Sequence, residues 1–185
     1  MPQPFGPWKI VESHSVYKDA WIDVRIDDVI RPDGKPGTHS VVKIRPGVSV
    51  LLLDDEGFVY LTEEFHYGVG RYTLEVVSGA LEEGENPREG AAREAQEELG
   101  ITAREWIPLG SFDPFTTMIN SPTRLFLARG LCFGASAPEG TEHIRCVKVS
   151  FDEAVAMTMD SRITHGPSCV AILKARLYLE GEKGS

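Results

Sequence analysis

Seven glutamates and two arginines crowd into residues 79–101, GALEEGENPREGAAREAQEELGI. Glu94 and Glu98 are four apart, so on a helix they stack on one face, and Glu97 flanks them. Carboxylates so placed repel one another, and those near a helix C-terminus also meet the negative end of the backbone dipole. A cation would relieve both costs. Hard divalent ions take carboxylate, carbonyl and water oxygens, and Mg²⁺ usually keeps water and is completed by substrate phosphate. Arg93 is placed to pair with a neighbouring glutamate and hold it at a fixed angle, and Glu85 lies in the loop just ahead. On charge alone, a solvated acidic face is an equal alternative, because an exposed i,i+4 pair costs only a few tenths of a kcal/mol.

These residues need a helix and a floor. Asn86 suits an N-cap, Pro87 the first helical position, Glu89 the partner in a capping box, and Gly100 the residue that ends the helix. Ala91, Ala92, Ala95 and Leu99 make a narrow apolar stripe, so a helix is predicted over Pro87 to Leu99. The strand 73–77 leads directly into it. Val48 to Leu53 is a nearly unbroken apolar run, as expected of a central strand buried on both faces, and Asp54-Asp55-Glu56-Gly57 turns it into the alternating Phe58 to Glu64.

Beyond the helix, strands are predicted at Arg104 to Phe112, Arg124 to Leu131 and His143 to Val149, with a long loop from Asp113 to Thr123. Helices follow at Phe151 to Met159, capped by Ser150, and from about Pro167 to Leu179, where Val170, Ala171, Leu173 and Leu177 are expected to face inward. Three helices around a mixed sheet make an α/β fold of three layers. Ahead of this, residues 1–7 are proline-rich and expected to be loose. Lys9 to Ser13, Trp21 to Ile30 and Thr38 to Ile44 read as strands, the last two joined at Pro32-Asp33-Gly34. The composition changes near Pro46-Gly47. This divides the chain into residues 1–46, a β-stranded appendage, and residues 47–185, the main domain.

A chain of 185 residues with net charge −9 and a pI near 5.1 lacks the clustered Lys and Arg of a nucleic-acid footprint. Cys132, Cys146 and Cys169 have no paired spacing and read as small buried residues, no stretch reaches membrane-spanning length, and the N-terminus does not resemble a signal peptide. The expectation is a cytoplasmic protein with no nucleic-acid or membrane partner.

The order of the residues is more specific than their charge. Gly79, five residues, Glu85, seven residues, then Arg93-Glu94-Ala95-Gln96-Glu97-Glu98-Leu99-Gly100-Ile101 resembles the signature of the Nudix hydrolases, with a small Ala95 where that family more often has a larger aliphatic residue. The resemblance implies a Nudix α/β/α sandwich and cleavage of a nucleoside diphosphate derivative with Mg²⁺ or Mn²⁺, water attacking phosphorus. By position, Glu94 and Glu98 become the principal metal ligands, Glu97 a further ligand or its water-holding neighbour, and the Ser78 carbonyl another oxygen ligand. Arg93 would orient the glutamates and Gly79 would let the backbone turn toward the metal. The general base in similar enzymes often precedes the last strand, which here offers Glu142, with Glu139 less well aligned.

Looser similarity, carried by PDG at 32–34 and by residues 63–85, 109–131 and 142–175, is to the ADP-ribose pyrophosphatases. It implies hydrolysis of ADP-ribose to AMP and ribose 5-phosphate, and a homodimer whose N-terminal strands help build the nucleotide site. Trp8 and Trp21 are candidates to stack on adenine. His66 stands where those relatives commonly carry arginine, with Arg71 able to supply the missing charge, and Val77 stands where they commonly carry proline. The alternatives are hydrolysis of another nucleoside diphosphate sugar or nucleotide, and a non-catalytic sensor of such a ligand.

Overall fold

Turn residues and alternating side chains divide nearly half of the chain into strands. The computed structural model describes residues 1–136 and 143–183. In chain order its elements are β1 (Gln3–Phe5), β2 (Trp8–Lys18), β3 (Ile22–Ile30), β4 (Pro36–Ile44), β5 (Gly47–Leu53), β6 (Phe58–His66), β7 (Arg71–Ala80), α1 (Pro87–Leu99), β8 (Ile101–Phe112), β9 (Ile119–Asn120), β10 (Thr123–Phe133), β11 (Arg145–Ser150), α2 (Phe151–Met159) and α3 (Gly166–Lys183). They fall into two compact units, one of Met1–Arg45 with Asp113–Pro122, the other of Pro46–Phe112 with Thr123–Ser185. No helix among the described residues is long and apolar enough to cross a membrane.

The first unit is a sheet of order β1-β2-β3-β4-β9. The residues expected to be loose instead start it, because β1 folds back on Trp8–Ile10 and pairs with it antiparallel. The segment expected as a long loop is likewise tied down. Val42 N donates to Met118 O at 2.8 Å, His39 Nε2 donates to Thr117 O at 3.0 Å, and β9 pairs parallel with β4. A two-residue strand is too short for hydrophobic alternation to announce it. From Glu12 to Lys18, β2 is exposed on both faces, Val16 and Tyr17 included.

The second unit has the strand order β11-β6-β7-β5-β10-β8, with β10 and β5 parallel and the other pairs antiparallel. Alternation sends β5 into two cores at once. Val48, Val50 and Leu52 meet Ala91 and Ala95 of α1, while Leu51 and Leu53 join Ala154, Met157, Ala171, Ile172 and Ala175 of α2 and α3. The result is the three-layered α/β/α sandwich.

On α3 the buried face differs from the one expected. Ala171, Ile172 and Ala175 are fully buried, whereas Leu173 and Leu177 are exposed at 37% and 69%. Of the residues expected to face inward, Ala171 is buried and Val170 packs against the core, while Leu173 and Leu177 turn outward, because small side chains let this helix lie close on the sheet. Cys132 and Cys146 are exposed rather than buried, and Cys169 is partly buried, all as free thiols.

The ends of α1 follow its local chemistry. Asn86 Oδ1 accepts from Arg88 N at 2.9 Å, and Gly100 adopts φ +66° while donating to Gln96 O at 3.0 Å. A Cβ at Gly100 would also stand 2.6 Å from the Ala135 carbonyl carbon. Asn86→Ala should therefore lower stability by about 1 kcal/mol, the usual worth of an N-cap. Gly100→Ala should cost more, since it combines an unfavourable φ with a backbone clash. Urea unfolding followed by circular dichroism tests the ranking, and a Gly100→Ala midpoint at or above that of Asn86→Ala would refute it.

Candidate active site

The strand beneath α1 changes partner midway. β7 pairs with β6 over Arg71–Val76 and with β5 over Val77–Ala80. Leu81 N donates to Pro46 O at 2.8 Å, so odd-numbered residues here turn their amide and carbonyl groups toward β5 and even-numbered ones turn theirs away. Ala80 follows this rule, and its carbonyl accepts from Arg93 Nη2 at 3.2 Å. Ser78 has the same parity, which places its carbonyl on the edge that Arg93 occupies. The Ser78 hydroxyl donates to Val76 O at 2.8 Å and lies 2.8 Å from Ser49 Oγ.

Gly79 is a glycine for a steric reason. The carboxyl of Glu94 lies so close against it that a Cβ would overlap the Glu94 Cδ and both oxygens. Gly90 performs the same service one turn earlier, where a Cβ would stand 2.5 Å from Leu81 Cδ2 and 3.0 Å from Glu85 Oε2. These two absent methyls let the loop and strand close on α1.

Arg93 gathers the carboxylates. Its Nε and Nη2 grip Glu85 at 3.0 and 3.2 Å, and its Nη1 lies 2.9 Å from Glu94 Oε1 and 2.9 Å from Glu97 Oε2. The hydrogen bonds to Glu85, followed by the field of Glu94 and the bond to Glu97, outweigh desolvation and raise the Arg93 pKa, so this guanidinium stays charged. The bond from Arg93, aided by the Glu82 amide, holds the Glu85 carboxyl below the usual glutamate range. Glu98 follows Glu94 by one turn and is partly buried, like Glu94 and Glu97. Three carboxylates and a strand-edge carbonyl are an all-oxygen donor set, which suits a hard divalent cation.

The predicted substrate-binding residues divide between the units. In the first, Trp8 and His39, their ring centroids 5.7 Å apart, line a cavity of about 440 Å³ together with Arg25, Asp27 and residues 116–120. Trp21 is 63% exposed, with the Arg45 guanidinium 5.1 Å from its ring centroid. The first unit also brings Glu12, His14 and Asp28 within 4.8 Å of one another, a grouping that nothing in their sequence spacing reveals. His14 Nε2 lies 3.0 Å from Asp28 Oδ2, a bond that raises its pKa. Glu139 and Glu142 lie outside the described residues.

In the second unit, His66 and Arg71 line a cavity of about 360 Å³ with Thr73, Glu75, Thr164 and His165. Arg71 Nη2 donates to Thr164 Oγ1 at 2.7 Å. Glu75 lies between two imidazoles, with His66 Nε2 at 3.1 Å from one oxygen and His165 Nδ1 at 3.0 Å from the other, and it accepts from Thr73 Oγ1 at 2.7 Å. Burial opposes the Glu75 charge. The bond and field of His165, with the Thr73 hydroxyl and the field of His66, outweigh it and keep the carboxyl below the usual glutamate range. Sequence reading does not bring His165 to Glu75, because ninety residues separate them.

The NUDIX domain profile matches residues 43–164, well over half of the chain, and the profile of the nucleoside diphosphate sugar hydrolase N-terminal domain matches residues 8–42. The chain is 26% identical to the ADP-ribose pyrophosphatase of Bacillus subtilis (strain 168) over 179 residues, 95% of this chain and 97% of that one. It is 30% identical to the ADP-ribose pyrophosphatase of Mycobacterium tuberculosis over 125 residues, 67% of this chain and 60% of that one. A crystal structure of an ADP compounds hydrolase superposes with a TM-score of 0.82 at 20% identity, covering 94% of each chain, and shares the fold.

Two measurements probe these contacts. Gly79→Ala forces the Glu94 carboxyl from its place and should weaken Mn²⁺ binding, read by electron paramagnetic resonance, by about tenfold or more; unchanged affinity would disprove the role of that space. Glu75 has a folded pKa below its unfolded one. Its contribution to stability is complete above the unfolded value and disappears as pH falls through the folded value. Glu75→Gln should thus flatten the acid limb of a plot of urea midpoint against pH, and parallel curves for variant and parent would contradict this.

Proposed function

Because the chain belongs to the NUDIX family, we propose that its substrate is ADP-ribose, cleaved to AMP and ribose 5-phosphate. It is a pyrophosphatase that hydrolyses the diphosphate of a nucleoside diphosphate derivative. The observation that carries the site assignment is the Glu94 carboxyl seated on Gly79 and tied to Arg93. Glu94 and Glu98 would hold Mg²⁺ or Mn²⁺, with Glu97 and the Ser78 carbonyl completing the protein's share. The bound cation would neutralise diphosphate charge and supply a water of lowered pKa.

The chain's own residues then orient and exchange protons. Arg93 fixes Glu85, Glu94 and Glu97 in one arrangement, so little reorganisation is left for the moment of reaction. Glu142 would take the proton of the attacking water, with Glu139 as the alternative. His66 and Arg71 would bind the substrate from β6 and β7, and Trp8 or Trp21 would stack on the base. Replacement of an arginine by His66 favours a second reading, another nucleoside diphosphate sugar, because an imidazole cannot clamp phosphate through two parallel bonds.

The N-terminal unit is assigned to dimerisation. Exposed Val11, Val16 and Tyr17 on β2 support this, since a twofold partner would cover them. Three free thiols suit the reducing cytoplasm.

Incubation with ADP-ribose and Mg²⁺, with products identified by mass, is expected to yield AMP and ribose 5-phosphate. Glu98→Gln keeps the side-chain size but removes a ligand charge, and turnover at saturating Mg²⁺ should fall by about a hundredfold or more. Activity within about threefold of the parent enzyme would reject the metal assignment.

A further inference from the structure

The strand that carries Ser78 and Gly79 reaches them through a fork in the sheet. β6 still faces β7 at Val76, through Leu61, but its residues Tyr60 and Val59 face Leu52 and Leu53 of β5, and β7 takes up β5 at Val77. Leu51, Leu61, Val76 and Val77 are fully buried, so a backbone group that loses its strand partner there has no water to turn to.

Side-chain hydroxyls meet this need on the edge that β6 vacates. Val76 N donates to Ser168 Oγ at 3.0 Å, and Val76 O accepts from Ser78 Oγ at 2.8 Å. Because the Ser78 proton is committed to Val76, Ser49 is the donor in the 2.8 Å contact between the Ser49 and Ser78 hydroxyls. The next even-numbered carbonyls along this edge are those of Ser78 and Ala80, about 7 Å apart at roughly 3.4 Å per residue. Ala80 O accepts from Arg93 Nη2 at 3.2 Å. The Ser78 carbonyl therefore stands between two fixed points, the Val76 backbone on one side and the Ala80 carbonyl on the other.

Ser168 is out of keeping with its surroundings. It lies in the first turn of α3, fully buried, on the face that also carries Ala171, Ile172 and Ala175. A hydroxyl buried there costs free energy unless it is bonded, and alanine would match the neighbouring positions in size. Ser168 Oγ has two partners, Val76 N and, at 2.8 Å, His165 Nδ1, and so ties the start of α3 to the fork.

We infer that Ser168 is a positioning residue for the metal centre. It supplies an acceptor to Val76 where β6 departs and fixes the point at which β7 passes from β6 to β5. Through Val76 and the Ser78 hydroxyl it holds the Ser78 carbonyl next to Gly79, on which the Glu94 carboxyl is seated. The inference deepens the proposed metal centre and rests on the Ser78 carbonyl being one of its ligands. A carbonyl already in place costs no rearrangement when the ion arrives, whereas a fork free to shift would have to be ordered at that moment.

Titration of the full-length protein with Mn²⁺, read by electron paramagnetic resonance, tests this without substrate. Ser168→Ala takes the acceptor from the Val76 amide and should weaken Mn²⁺ binding by about tenfold, the lower end of the usual loss when a group that orients a metal ligand is removed. Ser78→Ala releases Val76 O but keeps the ligand carbonyl, and should weaken binding to a similar degree. Ala175→Gly destabilises the same helix two turns further along and should leave the affinity within about twofold of the parent. The inference is overturned if Ser168→Ala binds Mn²⁺ within about twofold of the parent. It is also overturned if Ala175→Gly weakens binding as much as Ser168→Ala does, since lost stability rather than the lost bond would then be the cause. Circular dichroism reports folding; if Ser168→Ala does not fold, Ser78→Ala decides, and parental affinity in that variant overturns the inference. A parent protein that binds no Mn²⁺ at millimolar concentration would overturn the proposed metal centre itself, whereas parental binding in Ser168→Ala would leave that centre standing.

Discussion

One guanidinium holds together three carboxylates that would otherwise separate. Arg93 contacts Glu85, Glu94 and Glu97 at once, and only about a quarter of its side chain is exposed. Taking these charges partly out of water is costly, and the cost is offset only when every partner is well placed. Removing the arginine would leave like charges facing one another on one helix and its preceding loop. The site thus depends on a complete network, which explains why its geometry is prepared on rigid elements: a capped helix above and a buried strand below.

The strand below serves two purposes because of how it crosses the sheet. At its C-terminal end β7 leaves β6 and pairs with β5, which turns the Ala80 carbonyl toward Arg93 and leaves Ser78 on the same edge. At its N-terminal end it carries Thr73 and Glu75, while Ser168 at the start of α3 bonds to its backbone at Val76. A single change of partner therefore presents acidic oxygens at one end and a donor-rich cavity at the other.

Glycines set the tolerances of this arrangement. Gly79 and Gly90 are not conformational hinges; each is a place where a neighbouring carboxylate or leucine fills the volume of a side chain. Gly100 combines a left-handed backbone with close approach to residues 134–136, so the end of α1 is fixed from two directions. Such contacts tie the position of a functional side chain to the closeness of backbone packing, and a single methyl is enough to disturb it.

Local signals in the sequence determined α1 completely, since Asn86, Pro87 and Gly100 carry their own backbone preferences and needed no distant partner. The same holds for β5, whose unbroken apolar run could be satisfied only by cores on both faces, and for the spacing of Glu94, Glu97 and Glu98. Tertiary structure alone decided what is non-local. It paired β9 with β4, chose the alanine face of α3 over the leucine face, exposed Cys132 and Cys146, and joined His165 to Glu75 across ninety residues. Periodicity reports which side of an element is buried only when its side chains differ clearly in size and polarity. It carries no information about which distant element arrives there, because that contact is selected by the packing of the whole unit rather than by the preference of any one segment.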